Sequence, residues 1–176
     1  MIKQRTGVSQ IDDRQIQLAQ AAVTGDLESY GRLCEALYPA MVAIAYSVLA
    51  DHHMAEDAAQ ESYAKALVKL PGLKKPASFS AWMARICRNC ALDMARKNTR
   101  IRGVSDMSRL PVDEPQEENK YVPIIRHLIN ELPPSAKEMI MLRYYNKKSH
   151  QQMAAVLGMT RGAVRSKLQR IRVKLA

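Results

Sequence analysis

The chain closes on six cations, Arg161, Arg165, Lys167, Arg170, Arg172 and Lys174, with no acid among them. Val164, Leu168, Ile171 and Leu175 run through the same stretch at spacings of four, three and four. A helix there buries a narrow apolar stripe and leaves its cationic side free. Such a helix fits a DNA major groove, where Arg reads O6 and N7 of guanine and Lys or Arg neutralises phosphates. The plainer reading is a solvated basic face, but such faces usually intersperse acids for pairing.

A second basic stripe, Arg85, Arg88, Asn89 and Arg96, recurs at helical spacing beside Phe79 and Trp82. Cations for phosphates and amide or aromatic groups for unstacked bases suit single-stranded or melted nucleic acid. Trp82 itself reads better as core. Glu56, Asp57, Gln60 and Glu61 form a dense acidic and polar cluster. A solvated helix face explains it, and so does a docking face for a basic partner helix. Cys87 and Cys90 have metal-like spacing, but zinc needs four ligands and no second CxxC or HxxxH exists. They read as small core hydrophobes. His52, His53, His127 and His150 show no ligand spacing, and no Ser, His and Asp pattern suggests a triad. No catalytic group, metal or cofactor is expected.

The elements that position these groups are helical throughout. Asp26 and Ser29 open a helix after Gly25, and Pro39 marks a break or the first turn of another. Asp51 caps a helix over roughly 53–70, closed by Pro71-Gly72, with Ala55, Ala59, Tyr63, Ala66, Leu67 and Leu70 facing the core. Lys74, Lys75 and Pro76 lie in a loop. Ser78 caps a helix to about Lys97, whose apolar side holds Phe79, Trp82, Met83, Ile86 and Cys90. From Asn98 to Tyr121 the chain is poor in apolar residues and holds Gly103, Pro111, Pro115 and five acids, Asp113, Glu114, Glu117 and Glu118 among them, the pattern of a linker. Beyond it, Leu132-Pro133-Pro134-Ser135 starts a helix with Ile140, Met141 and Tyr144 on its apolar side. Ser149 with Gln152 then makes a capping box, Gly158 suits a left-handed turn, and Thr160 caps the final helix. Helix, short Gly-bearing turn, helix is a helix-turn-helix.

Charge divides the 176 residues unevenly. Residues 122–176 carry eleven basic and two acidic groups, whereas 1–98 carry twelve and ten. Most of the net +10 therefore sits in the last third, which points to a polyanion partner for that segment. Three cysteines are too few, and odd in number, for a disulfide framework. No uninterrupted apolar run approaches the ~20 residues of a membrane helix, and the first ten residues lack the apolar stretch of a secretory signal. Membrane insertion is not expected, and a cytoplasmic location is.

Several of these motifs together resemble the bacterial sigma-70 family, and their order resembles its extracytoplasmic-function (ECF) class. Ala55 to Tyr63, AEDAAQESY, resembles the AEDxxQExF signature of region 2. Phe79 to Asn89, with Asp93 and Arg96, resembles the FxxWLxRIxRN segment that follows, and Gly25-Asp26 matches the GD near its start. Leu132-Pro133 and Ser149 to Leu175 resemble region 4. Asn146-Lys147-Lys148 stands where the family carries a Gly-bearing turn, Lys137 where an Arg is common after the Leu-Pro pair, and Gln152 replaces the typical Glu.

The resemblance implies an all-α protein of two helical domains joined by a flexible linker: an N-terminal extension 1–24, region 2 over 25–98, a linker 99–121 and region 4 over 122–176. It implies docking of Glu56, Asp57, Gln60 and Glu61 on the clamp helices of the RNA polymerase β′ subunit, and of region 4 on the β flap. Lys74, Lys75, Arg85, Arg88, Asn89 and Arg96 would meet the −10 element, with a flipped base captured near the loop from Leu70 to Ser78. Arg161, Arg165, Ser166, Lys167, Gln169 and Arg170 would read the −35 element. An anti-sigma factor is a further implied partner. A sigma-like mimic that only sequesters such a factor, and a stand-alone helix-turn-helix regulator, are the competing readings.

Overall fold

The computed structural model describes residues 9–102 and 127–175, with side chains over 13–99 and 127–175. All regular elements among them are helical. The first unit is built from α1 (Ser9–Val23), α2 (Leu27–Leu49), α3 (His52–Lys69) and α4 (Phe79–Arg102). Two 3₁₀ turns, Leu70–Gly72 and Pro76–Ser78, join α3 to α4.

Gly25, at φ +105°, turns the chain out of α1 in a conformation that side chains resist. Asp26 then caps α2, accepting from the Glu28 and Ser29 amides at 3.0 and 3.3 Å and from the Ser29 hydroxyl at 2.6 Å. Those bonds, the Ser29 hydroxyl first, hold the Asp26 carboxyl below its ordinary range. Asp51 caps α3 through the Met54 amide at 2.8 Å, as its position suggested.

The expected break at Pro39 does not occur. Pro39 lies inside α2, and the helix continues to Leu49. An interior proline costs roughly 3 kcal/mol, but Ala40, Met41, Val42, Ala43, Ile44 and Ala45 immediately after it are all buried. Six consecutive buried positions mean that the helix is covered on every side, so tertiary burial outweighs the local penalty. The same property makes α2 alone among the described helices long and apolar enough to cross a membrane, a character that separate counting on either side of Glu28, Arg32 and Glu35 conceals. Here that apolar surface is spent on the core.

α3 turns Ala55, Ala58, Ala59, Ser62 and Ala66 inward. Leu67, expected inside, is 40% exposed because Ala58 and Ser62 take up the buried face. Small side chains let α3 approach α2 closely, and two tyrosines stitch the pair. The Tyr30 hydroxyl donates to the Tyr63 carbonyl at 2.7 Å, and the Tyr63 hydroxyl donates to the Cys34 carbonyl at 3.1 Å. On α4, Phe79, Met83, Ile86, Cys87 and Cys90 are buried. Burial pushes the Cys87 thiol up to about 12, so it stays neutral and donates to the Met41 carbonyl at 3.3 Å. Ser78 does not cap α4; its hydroxyl donates backward to the Lys75 carbonyl at 2.7 Å. α4 runs through Arg102, past the expected end near Lys97, and the rest of the expected linker, 103–121, lies outside the described residues.

The residues expected as an N-terminal extension include α1, which lies across α2 and both 3₁₀ turns. Its Ala19 and Ala22 are buried.

The second unit comprises a helical stretch at 127–130, α5 (Pro134–Ile140), a π-helical turn (Met141–Tyr145), α6 (His150–Leu157) and α7 (Arg161–Leu175). Lys147 adopts φ +49°, so this side chain accepts a left-handed conformation in the turn where the sigma-70 pattern has glycine. The capping box forms as the sequence indicates: the Ser149 hydroxyl accepts from the Gln152 amide at 3.2 Å and the Gln152 side chain accepts from the Ser149 amide at 2.9 Å. Gly158 closes α6 at φ +64°, and the Thr160 hydroxyl accepts from the Ala163 amide at 3.2 Å to open α7. Val164, Leu168 and Ile171 are buried where α7 packs on α6 and α5, whose Met153, Val156 and Met139 are buried too.

Candidate nucleic-acid interface

Because Val164, Leu168 and Ile171 anchor α7, the opposite side of the helix is free. Arg161, Arg165, Ser166, Lys167, Gln169 and Arg170 are all exposed. None of these cations is held in an ion pair among the described residues, so their charge is available to a ligand. Arg172 extends the same surface and donates from Nε to the Tyr144 hydroxyl at 3.0 Å.

His150 reports the field at this surface. It sits at the start of α6, directly after the Ser149 cap, and its pKa is lowered by burial first and then by Arg143, Arg161, Arg172 and Arg165. The positive field of these four guanidinium groups is therefore felt at the amino end of α6, where backbone amides also favour an anion. Since folding lowers the His150 pKa, the unfolded chain binds the extra proton more readily. The stabilisation is complete above the ordinary histidine range, near pH 6.5, and is lost as pH falls through the folded value. Wild type is expected to lose melting temperature between pH 7.5 and 5.5 more steeply than His150→Gln. Parallel melting curves would remove His150 from the cationic cluster.

The second basic stripe divides. Lys74 and Lys75 are exposed between the two 3₁₀ turns, and Arg85, Asn89 and Arg96 are exposed along α4. Arg96 is shared with Asp93 at 3.1 Å. Arg88 differs from its neighbours. Its Nε and terminal nitrogen reach the two carboxylate oxygens of Glu138 on α5, at 3.2 and 2.5 Å. Trp82 is half-buried against Phe79, with ring centroids 5.7 Å apart, as a core rather than a stacking residue.

The acidic cluster on α3 also divides. Glu61 binds Lys65 at 2.6 Å, and Glu56 lies 3.6 Å from His52 Nδ1. Asp57 and Gln60 are exposed and carry no such partner among the described residues. An open cleft of about 310 Å³, lined by Glu61, Lys65, Asp93, Met94, Arg96 and Lys97, joins this face to the basic stripe on α4.

Comparison with known proteins identifies the family. The family model for sigma-70 region 2 matches residues 33–101, and that for sigma-70 region 4 matches 124–175. The ECF RNA polymerase sigma factor SigW of Bacillus subtilis is 25% identical over 166 residues, spanning 86% of this chain and 89% of that protein. The chain belongs to the sigma-70 family, in its ECF class.

A probable RNA polymerase sigma factor, RfaY of Xanthomonas campestris pv. campestris, is 33% identical over 162 residues, 86% of this chain and 40% of that protein. The ECF sigma factor SigE of Mycolicibacterium smegmatis is 29% identical over 163 residues, 86% of this chain and 63% of that protein. The sigma-70 chain thus spans less than two thirds of these two relatives. The fold resembles that of CnrH, solved in complex with the cytosolic domain of CnrY, at a TM-score of 0.61 and 23% identity over 92% of this chain and 94% of that one. It also resembles the sigma factor RpoE from Bartonella quintana, solved with the anti-sigma factor NepR, at 0.58 and 24% over 84% and 94%. Glu138, Arg143 and His150 escaped the sequence reading as site residues. For Glu138 a signal existed: it is one of only two acids in residues 122–176, and it directly precedes Met139-Ile140.

Proposed function

We propose that this chain is an ECF sigma factor that binds core RNA polymerase and directs promoter-specific initiation through −35 and −10 recognition. The observation that carries the reading is α7, whose apolar stripe is buried while its unpaired cations face outward from a capped helix-turn-helix. In this reading residues 122–176 act as region 4, docking on the β flap and reading −35 DNA with Arg161, Arg165, Ser166, Lys167, Gln169 and Arg170. Residues 25–98 act as region 2, braced by α1 from the stretch 1–24, and 99–121 as the linker. Lys74, Lys75, Arg85, Arg88, Asn89 and Arg96 engage the −10 element. The protein works in the cytoplasm as a specificity subunit, not as an enzyme by itself, and an anti-sigma factor is a further partner.

Docking on the β′ clamp helices falls to the α3 face of Glu56, Asp57, Gln60 and Glu61. Asp57 is the informative member because it is exposed and carries no ion pair among the described residues, so reversing its charge leaves the fold intact. Asp57→Arg is expected to weaken core binding at least about tenfold, through like-charge contact with a basic partner. Unchanged capture of core polymerase by the variant would exclude the clamp assignment.

The decisive experiment is transcription from a random promoter library by bacterial core polymerase, with and without the protein. Protein-dependent transcripts sharing spaced −35 and −10 elements are the expected result. Absence of both transcripts and core binding would overturn the reading in favour of a sigma-like mimic or a stand-alone helix-turn-helix regulator.

A further inference from the structure

The loop from Leu70 to Ser78 consists of two short 3₁₀ turns with Lys74 and Lys75 exposed between them. Its own bonds are short-range. The Leu73 amide donates to the Leu70 carbonyl at 3.0 Å, and the Ser78 amide to the Lys75 carbonyl at 2.9 Å. Turns of this kind are weak by themselves, so the place of the loop is set by what it packs on. Leu70 and Leu73 are buried, as is Phe79 directly after the loop. α1 packs on both 3₁₀ turns as well as on α2. Its fully covered positions are Ala19 and Ala22, on one helix face and in the same apolar cluster as Leu70, Leu73 and Phe79. Side chains this small let α1 lie close on what it covers. The turn into α2 fixes the angle of α1. The Gly25 amide donates to the Ala22 carbonyl at 3.0 Å and the Asp26 amide to the Ala21 carbonyl at 3.1 Å. A Cβ on Gly25 would meet nothing within 4 Å, so its φ of +105°, not crowding, is what calls for glycine. The sigma-70 region 2 match begins at residue 33, beyond all of these residues.

We infer that α1 and the Gly25-Asp26 turn set base preference at the −10 element by fixing where the loop 70–78 stands. Ala19, Ala22 and Gly25 are then positioning residues for −10 readout. The inference rests on the sigma-factor reading for what the loop does. A pocket that receives an extruded base discriminates by hydrogen bonds and stacking, and such a site works only when held within about 0.5 Å of its productive geometry. Ala19 and Ala22 are buried and have no polar side-chain atom, so their influence reaches DNA only through what α1 supports. Valine at Ala19 adds two methyl groups at a position with no exposed surface, so α1 has to lift or the loop has to shift. Alanine at Gly25 strains the backbone that sets the angle of α1. Arg85 and Asn89 stand on α4, apart from the loop, and stay exposed to the phosphates. The loss therefore falls on preference more than on affinity.

The test uses the full chain and two measurements. Hydrogen exchange reads how firmly the loop is held, through peptides containing the Leu73 and Ser78 amides. Transcription from a promoter library by core polymerase reads base preference. Ala19→Val and Gly25→Ala are each expected to speed exchange across 70–78 at least about tenfold, with α3 and α4 unchanged. Each should also relax preference at one −10 position about tenfold and leave the −35 consensus as in wild type. Ala19→Ser, close to alanine in size, should behave as wild type in both. Ile44→Val separates positioning from stability. Ile44 is buried about 20 Å along α2 from Tyr30, whose ring meets Phe79 edge-on with centroids 6.3 Å apart. That variant should lower the melting temperature and keep the −10 consensus. An unaltered −10 consensus in both Ala19→Val and Gly25→Ala, folded by circular dichroism, would overturn the inference whatever their total output. So would a consensus relaxed equally by Ile44→Val. If wild type yields no protein-dependent transcripts while loop exchange still quickens in the variants, the sigma-factor reading fails and the −10 role falls with it.

Discussion

Alanine at Arg165 or Arg170 is expected to cost about 1–3 kcal/mol each in discrimination of the −35 element, roughly five- to 150-fold in selectivity. Both side chains are exposed on the face of α7 opposite Val164 and Leu168, which are 0% and 2% exposed. Neither is bound into an ion pair among the described residues. Truncation therefore leaves the helix anchored, and the loss falls on the ligand rather than on the fold. Lost phosphate neutralisation alone would weaken binding to all sequences alike and reduce its salt dependence. Lost base contact relaxes preference at one position. Library transcription with each variant separates the two, because a consensus that loosens at one or two −35 positions marks a reading residue. Retention of the wild-type consensus by both variants would reassign them to the phosphate backbone.

What was legible beforehand follows the range of the forces involved. The Ser149–Gln152 box, the Asp26 and Asp51 caps and the Gly158 turn depend on residues within four positions of one another, so their chemistry is written locally. The α7 face was equally legible, since a buried stripe at helical spacing dictates what lies opposite. Pro39 was misread because its local penalty is outweighed by helices packed around Ala40–Ala45, which no short window contains. Tyr144 was misread for another reason. The π-helical turn at Met141–Tyr145 adds a residue to the turn and rotates the positions that follow, leaving Tyr144 53% exposed.

The α4 stripe shows the limit most clearly. Its spacing identified Arg85, Arg88, Asn89 and Arg96 as one face, and three of these four are exposed. Nothing in the spacing could single out Arg88, because its partner Glu138 approaches from another unit. Glu138 was counted only as a charge in a basic segment. A lone acid ahead of Met139-Ile140 is the sort of residue that must find a cation or stay unfavourably buried. The stretch from Ile11 on reads as helical, but Ala19 and Ala22 are too small to mark the face that α1 buries.

Leu168→Ala is expected to destabilise the second unit strongly while leaving the DNA-reading face untouched. Leu168 is 2% exposed, and its loss leaves a cavity costing about 2–5 kcal/mol. The second unit is small, and Leu168 belongs to one buried apolar cluster with Val164, Met153 and Leu142, each 0% exposed. A domain of this class holds about 5–15 kcal/mol in all. The seam to the first unit, formed by the Arg88–Glu138 pair and by the packing of the second unit on α2 and α4, decides how that loss is shared. If the units open independently, hydrogen exchange should accelerate across α6 and α7 while amides around Met41, Met83 and Cys87 keep their protection. Core docking through α3 would then survive and −35 reading would fail. If protection falls together in both units, the seam carries enough energy to make them one cooperative body. Glu138→Gln in the same background should then restore the protection of α2 and α4. Persistence of full protection in α7 itself would show that Leu168 is not the anchor its burial indicates.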